Sequence, residues 1–258
     1  YYILYYKRYL IMVQLVCITF GGGSKKYNAA ADRFKTQLEN LEIFDEIIAF
    51  TEKNLQEKEE FWLKHKNFLE NNKRGYGYWM WKPYLIMEQL KNMSEGDILF
   101  YADAGCEVDD SKKDNFISLK EYFLKEDSVP ILARKLCGYK EEHYCKMDTF
   151  IAMDCSENSM KTPQYQAGIL GIRNCQQARD FVERWYCYCT CYHLIDDTPS
   201  KLDNAKKFKE HRHDQSLFSL LYKQTFSNVT LSIDIGDCVF ILRTRNGGSN
   251  LNRVYRKC

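Results

Sequence analysis

A single α/β domain, with a mostly parallel central sheet flanked by helices, is the fold class this sequence predicts. Strand-like and helix-like segments alternate through residue 101, the pattern of βαβ units. The strand-like segments are continuous apolar runs, as expected of strands covered on both faces. The size fits as well: 258 residues, 45% of them hydrophobic, suffice for one large core, and no linker, repeat or low-complexity segment divides them.

Residues 13–20 are rich in apolar and β-branched side chains and run into Gly21-Gly22-Gly23-Ser24, which reads as a buried strand followed by a tight loop. Residues 29–41 have helical spacing, 42–50 read as a second strand, and 57–71 as a charged amphipathic helix. Past the turn-prone Arg74-Gly75-Tyr76-Gly77, residues 81–90 form an apolar helical run and 97–101 a short central strand. The second half is less regular. Residues 129–136 and 166–172 read as strands, 176 to about 193 as an amphipathic helix, 194–213 as a mobile polar loop and 215–224 as a short helix. Residues 229–233 and 238–243 are candidate closing strands. The domain then covers 13–245, between an extension over 1–12 and a polar basic tail over 246–258.

Composition excludes several classes. With 37 basic and 35 acidic side chains the net charge is +2, which gives no reason to expect a nucleic-acid-binding face. Four Pro and 13 Gly exclude collagen-like and mucin-like chains. The 11 cysteines are scattered in a chain whose core needs no staples, so reduced, mostly buried thiols are expected, with no disulfide framework. The run Cys187, Cys189, Cys191 has the wrong spacing for tetrahedral zinc. The apolar stretch over 9–20 is shorter than the roughly 20 residues that a membrane span requires. The expectation is a cytoplasmic or membrane-peripheral protein with no integral span.

Ligands of open α/β sheets bind at the carboxyl ends of strands. Two such ends stand out. At Thr19-Phe20-Gly21 small residues let a ligand approach the backbone, and Ala102-Asp103-Ala104-Gly105 leaves a central strand with a carboxylate. Asp103 either holds a divalent cation that neutralises a diphosphate, or caps a turn with Gly105. Lys82 lies near a helix N-terminus, where its charge opposes the helix dipole, which favours a partner such as phosphate or a carboxylate from the Asp103 loop. Trp79 and Trp81 offer sugar-stacking faces or plain packing against the sheet. His65, His143 and His193 stand alone and read as surface or packing residues.

The succession Arg74-Gly-Tyr-Gly-Tyr-Trp-Met-Trp-Lys-Pro83, Asp97-Ile-Leu-Phe-Tyr-Ala-Asp-Ala-Gly105, Lys146-Met-Asp148, Gln164-Tyr-Gln-Ala-Gly-Ile-Leu170 and His211-Arg-His-Asp-Gln-Ser216 resembles a family of bacterial and viral GT-A glycosyltransferases over about residues 13–225. The resemblance implies a Rossmann-related GT-A fold, a nucleotide-sugar donor, a glycan acceptor and Mn²⁺ or Mg²⁺. It assigns donor contacts to Thr19, Phe20, Gly21, Lys82, Ala102, Asp103, Ala104, Lys146, Gln166, Ala167, Gly168 and His213, and metal contacts to Asp103 and His213. Asp214 is the expected catalytic acid or base, with Asp148 next. The sequence departs from the Asp-x-Asp metal motif: Gly105 stands where the second acid belongs, with Glu107, Asp109 and Asp110 as possible substitutes. Two other readings stand beside this one: a sugar nucleotidyltransferase using Gly21-Gly-Gly-Ser-Lys-Lys26 as a phosphate loop, and an inactive carbohydrate-binding homologue.

Overall fold

The computed structural model describes residues 13–226 and 233–255. The extension over 1–12 and most of the strand expected over 229–233 lie outside the described residues. Five strands form one sheet: β1 (Leu15–Phe20), β2 (Glu46–Phe50), β3 (Ile98–Ala102), β4 (Ile131–Lys140) and β5 (Pro163–Arg173), in the order β2-β1-β3-β5-β4. β1 pairs in parallel with β2 and β3, whereas β5 is antiparallel to both β3 and β4. Four strands therefore point the same way and β5 alone is reversed.

Alternation along the strands divides the core into two layers. Val16, Ile18, Leu99, Tyr101 and Leu170 face a layer formed by α2 (Glu59–Asn71), α3 (Trp81–Lys91), α5 (Gln176–Thr190) and α6 (His213–Thr225). Leu15, Cys17, Phe100 and Ile169 face α1 (Lys25–Glu39) and α4 (Lys113–Phe123).

Register places the site. Ile18 lies beside Tyr101, so β1 and β3 end side by side. Because β5 is reversed, it is the early part of that strand that reaches Asp103: the Asp103 amide donates to the Gly168 carbonyl at 2.9 Å.

Several elements differ from the expectation. α1 starts at Lys25, four residues early, because the Ser24 hydroxyl accepts from the Tyr27 amide and caps the helix. β2 starts later than residue 42, since Glu42 sits at a left-handed φ of 53°. α4 was not anticipated, although Phe116, Leu119 and Phe123 keep helical spacing there. Residues 238–243 form no strand; a 3₁₀ turn over Ile235–Cys238 precedes a single bridge between Glu107 and Phe240. The polar loop over 194–213, expected to be mobile, is pinned by bonds from the Lys201 and Leu202 amides to Asp148. Among the described residues no helix is long and apolar enough to cross a membrane.

Candidate active-site cleft

A cleft of about 580 Å³ opens at the carboxyl ends of β1 and β3. One wall is aromatic. Phe20 leaves β1 and stacks on Trp81 at 3.8 Å, and the Trp81 indole donates to the Gly75 carbonyl at 2.9 Å. Tyr76 and Trp79 continue this wall. Ala104, Gln166, Ala167 and Gly168 line the opposite side with Asp103. A Cβ on residue 168 would stand 2.7 Å from the Asp103 carboxylate, so only glycine leaves that acid its place.

The floor is a buried charge cluster. Lys82 Nζ lies 2.7 Å from Asp214 Oδ2 and 3.4 Å from Asp103 Oδ1, and the Tyr101 hydroxyl donates to Asp103 at 2.7 Å. Burial opposes the charge on Lys82, but Asp103 and Asp214 outweigh it and hold its pKa above the ordinary lysine range. Burial pushes Asp214 up to about 6; Lys82 resists that shift and Asp103 adds to it. The Asp103 side chain is 46% exposed while that of Asp214 is 5% exposed, so Asp103 is the carboxylate a ligand meets first.

Backbone strain concentrates here. Seven described non-glycine residues have positive φ, and four of them (Tyr76, Trp79, His213 and Arg243) line this cleft. The left-handed region costs about 1–2 kcal/mol for such residues and tends to persist where function requires it. Residues 75–79 all have positive φ, and this turn presents its aromatic rings to the cleft and to His213. Tyr78 stacks on the His213 ring at 4.8 Å. The His213 Nδ1 hydrogen is donated to the Ile195 carbonyl at 2.7 Å, which leaves Nε2 as a lone-pair acceptor. Nε2 is buried and has no hydrogen-bond partner, with Asp197 at 3.7 Å. Burial pulls His213 below the ordinary imidazole range, against the Ile195 bond, so the ring is neutral at neutral pH.

The structure brings Phe20, Lys82, Asp103, Ala104, Gln166, Ala167, Gly168, His213 and Asp214 into the cleft. Five expected residues stand outside its lining. The Thr19 hydroxyl donates to the Ala102 carbonyl at 2.8 Å, which ties β1 to β3 and occupies both residues. Gly21 packs against α1 at Tyr27 and Ala31. Lys146 is buried with its ammonium on the His193 carbonyl and Asp196, at 2.8 and 2.9 Å. Asp148 accepts from His193 and from the Lys201 and Leu202 amides, so its carboxylate anchors a loop and is not part of the cleft lining. Of the lone histidines, His65 is a packing residue as expected, fully buried between the Tyr192 and Tyr186 hydroxyls, whereas His193 does not stand alone but pairs with Asp148. Of the loop that the nucleotidyltransferase reading uses, Gly22 and Gly23 line the cleft, whereas Lys25 and Lys26 are exposed in the first turn of α1 and are not part of its lining.

Residues that sequence reasoning missed come from the chain beyond residue 240. Arg243 and Arg245 line the cleft. They are delivered by a clasp around Glu107, whose buried carboxylate accepts from Thr244, Ser249, the Asn250 amide and Gln37. Arg33 completes it with an ion pair to Glu107 at 3.4 Å and bonds to the Ala104, Cys106 and Thr244 carbonyls. Glu107 is thus unavailable as a substitute metal ligand. Asp109 accepts from the Ser111 amide as the cap of a 3₁₀ turn.

The residues present do not fit the expected Mn²⁺ or Mg²⁺. Among the described residues no group of three His, Cys, Asp or Glu side chains could hold a metal ion. A cation on Asp103 would also meet the Lys82 ammonium at the same carboxylate.

No protein-family profile matches the chain, and no curated protein matches it. Among solved structures, it is similar to a glycosyltransferase involved in glycosylation of the major capsid of PBCV-1, at 12% identity and a TM-score of 0.35, over 67% of this chain and 65% of that one. It is also similar to mouse xyloside xylosyltransferase 1 in its apo form, at 11% identity and a TM-score of 0.43, over 82% of each chain. The chain thus spans slightly less than two thirds of the length of the first. At this identity the likeness concerns fold alone.

Proposed function

We propose that the cleft binds a nucleotide diphosphate sugar and transfers its hexose or pentose to a hydroxyl of a glycan or similar acceptor. One observation carries the reading. Four segments singled out by the sequence resemblance, around residues 74–82, 103–105, 166–168 and 213–215, line one cleft at the strand ends. They are far apart in the chain, and the fold brings them to one place.

The residues divide the work as follows. Phe20, Tyr76 and Trp79 offer flat faces to a base or sugar ring. Asp103 accepts from hydroxyls, and Gln166 accepts through Oε1 and donates through Nε2; Gln166 Oε1 is buried with no partner of its own. In transfer, the bond between the anomeric carbon and the diphosphate oxygen breaks and a bond to the acceptor oxygen forms. The acceptor proton passes to a carboxylate of the Asp214–Lys82–Asp103 cluster, in which Asp214 is ionised above about pH 6.

A thermal-shift panel of nucleotide sugars against the full chain tests this, because a ligand of the folded state raises its stability. A nucleotide sugar that stabilises the protein and is converted to free nucleoside diphosphate supports transfer. Release of pyrophosphate instead, or no shift with any nucleotide sugar, overturns it.

A further inference from the structure

We propose that Arg243 and Arg245, held in the cleft by the Glu107 clasp, neutralise the diphosphate of the bound nucleotide in place of a divalent cation; this rests on the donor reading above. Both residues line the cleft, and both are exposed. Among the described residues neither has a carboxylate partner. The other arginines of the cleft differ: Arg74 pairs with Asp197 and Glu210, and Arg212 with Glu210 while covering Tyr139 and Tyr144. Arg243 and Arg245 are therefore the cleft arginines left to meet an anion, and a guanidinium fork matches two phosphate oxygens at once.

Gly105 links the missing acid to the added arginines. A Cβ at residue 105 would stand 3.3 Å from the Arg243 Cα and 3.7 Å from the Thr244 nitrogen. The Thr244 amide donates to the Gly105 carbonyl at 2.9 Å. A side chain at position 105 would press on the strap that carries Arg243, whose backbone would have to give by a few tenths of an ångström. The space beside position 105 is thus shared with the segment that carries the cations. Arg243 is held at a φ of 53°, a conformation that requires fixed neighbours. Those neighbours are Thr244 on Glu107 and Phe240 on the Glu107 backbone, with amide-to-carbonyl bonds of 3.0 and 2.7 Å.

The test is calorimetric titration of the full-length chain with UDP, GDP, ADP and CDP, each in excess chelator and again with Mn²⁺. The expected result is that at least one of them binds in chelator with a Kd within about threefold of its value in Mn²⁺. In the variant carrying Arg243→Gln and Arg245→Gln that affinity falls at least tenfold, while the melting temperature and the affinity for the matching nucleoside stay unchanged. Binding that requires Mn²⁺ overturns the inference and leaves the donor reading standing, as does undiminished affinity in the double variant. If no nucleoside diphosphate binds in either condition, the donor reading falls and the inference falls with it.

Discussion

Asp148 and Asp214 occupy matching places in two different neighbourhoods. Each is the second residue of a helix, in Met147–Ala152 and α6 respectively. Each is nearly buried, at 8% and 4% exposure, and each faces a cationic or basic partner, His193 or Lys82. Yet their acidities move in opposite directions. Burial pushes both upward, but Asp148 also accepts from two backbone amides and His193, and these hold it below the ordinary carboxylate range. Asp214 shares a single lysine with Asp103 and rises to about 6. The difference teaches how to tell an anchoring acid from one available to a ligand. In the first neighbourhood the donors turn inward and saturate the carboxylate. In the second, two acids divide one lysine at the edge of open space.

Removing the shared lysine should break this contrast most severely. Lys82→Met leaves two carboxylates facing each other without a cation. Loss of one partner of a buried pair costs about 3–5 kcal/mol. The expected result is a large drop in melting temperature together with at least a hundredfold loss of sugar transfer, measured on whatever fraction remains folded. A variant of normal activity would place the chemistry outside the cluster.

The pH response sharpens the contrast with a second measurement. The Asp214 pKa is higher in the folded chain than in the unfolded one, so folding takes up a proton between about pH 4 and 6. The stabilisation from neutral Asp214 is complete below about pH 4 and is lost as pH rises through about 6, a change of roughly 3 kcal/mol. Asp148 has the opposite sign: its contribution is present above the ordinary carboxylate range and is lost as pH falls through its depressed value. Denaturant titrations at several pH values should therefore show the wild type losing ground to Asp214→Asn between pH 4 and 6. Against Asp148→Asn it should gain as pH rises out of the acid range. Parallel curves for the two variants would erase the distinction.

The smallest expected effect is that of Asp148→Asn at neutral pH. Weakened bonds to the Lys201 and Leu202 amides should lower stability by about 2 kcal/mol, while nucleotide affinity of the folded protein stays within twofold. Calorimetry on the folded variant checks this. A tenfold loss of affinity would mean that the pinned loop transmits to the cleft.

Legibility in the sequence followed the type of signal. The strands of the first half are continuous apolar runs, and their helices carry regular spacing, so β1, α2, α3 and β3 can be read directly. The reversed strand β5 was visible as a strand, but its direction comes from how the chain returns across the sheet. His213 and Asp214 precede an apolar helix, a local cue. Lys146 and Asp148 carry the same residue types, and a motif says nothing about which way a side chain turns; both turn into the loop over 194–213. Arg243 and Arg245 belong to a segment without periodicity. Its position is set by Glu107, 137 residues earlier at the Thr244 contact, and no short-range pattern reports such a bond.

That separation also has a consequence in time. Chains leave the ribosome at about 5–20 residues per second. Glu107 is made long before Thr244, so roughly 7–27 s pass between the two, given 137 intervening positions. Throughout that interval the nascent domain can assemble β1, β2 and β3, while Glu107 and Arg33 wait without the segment that later surrounds them. A buried acid that lacks most of its donors is costly, and with only Gln37 and Arg33 in place this corner stays hydrated and open until residues 244–250 arrive. The nascent chain is therefore born with an unfinished pocket. Occupancy by a charged metabolite becomes possible only once residues 243–250 have emerged, which makes ligand protection against a protease in arrested ribosome complexes a clock for the arrival of that segment.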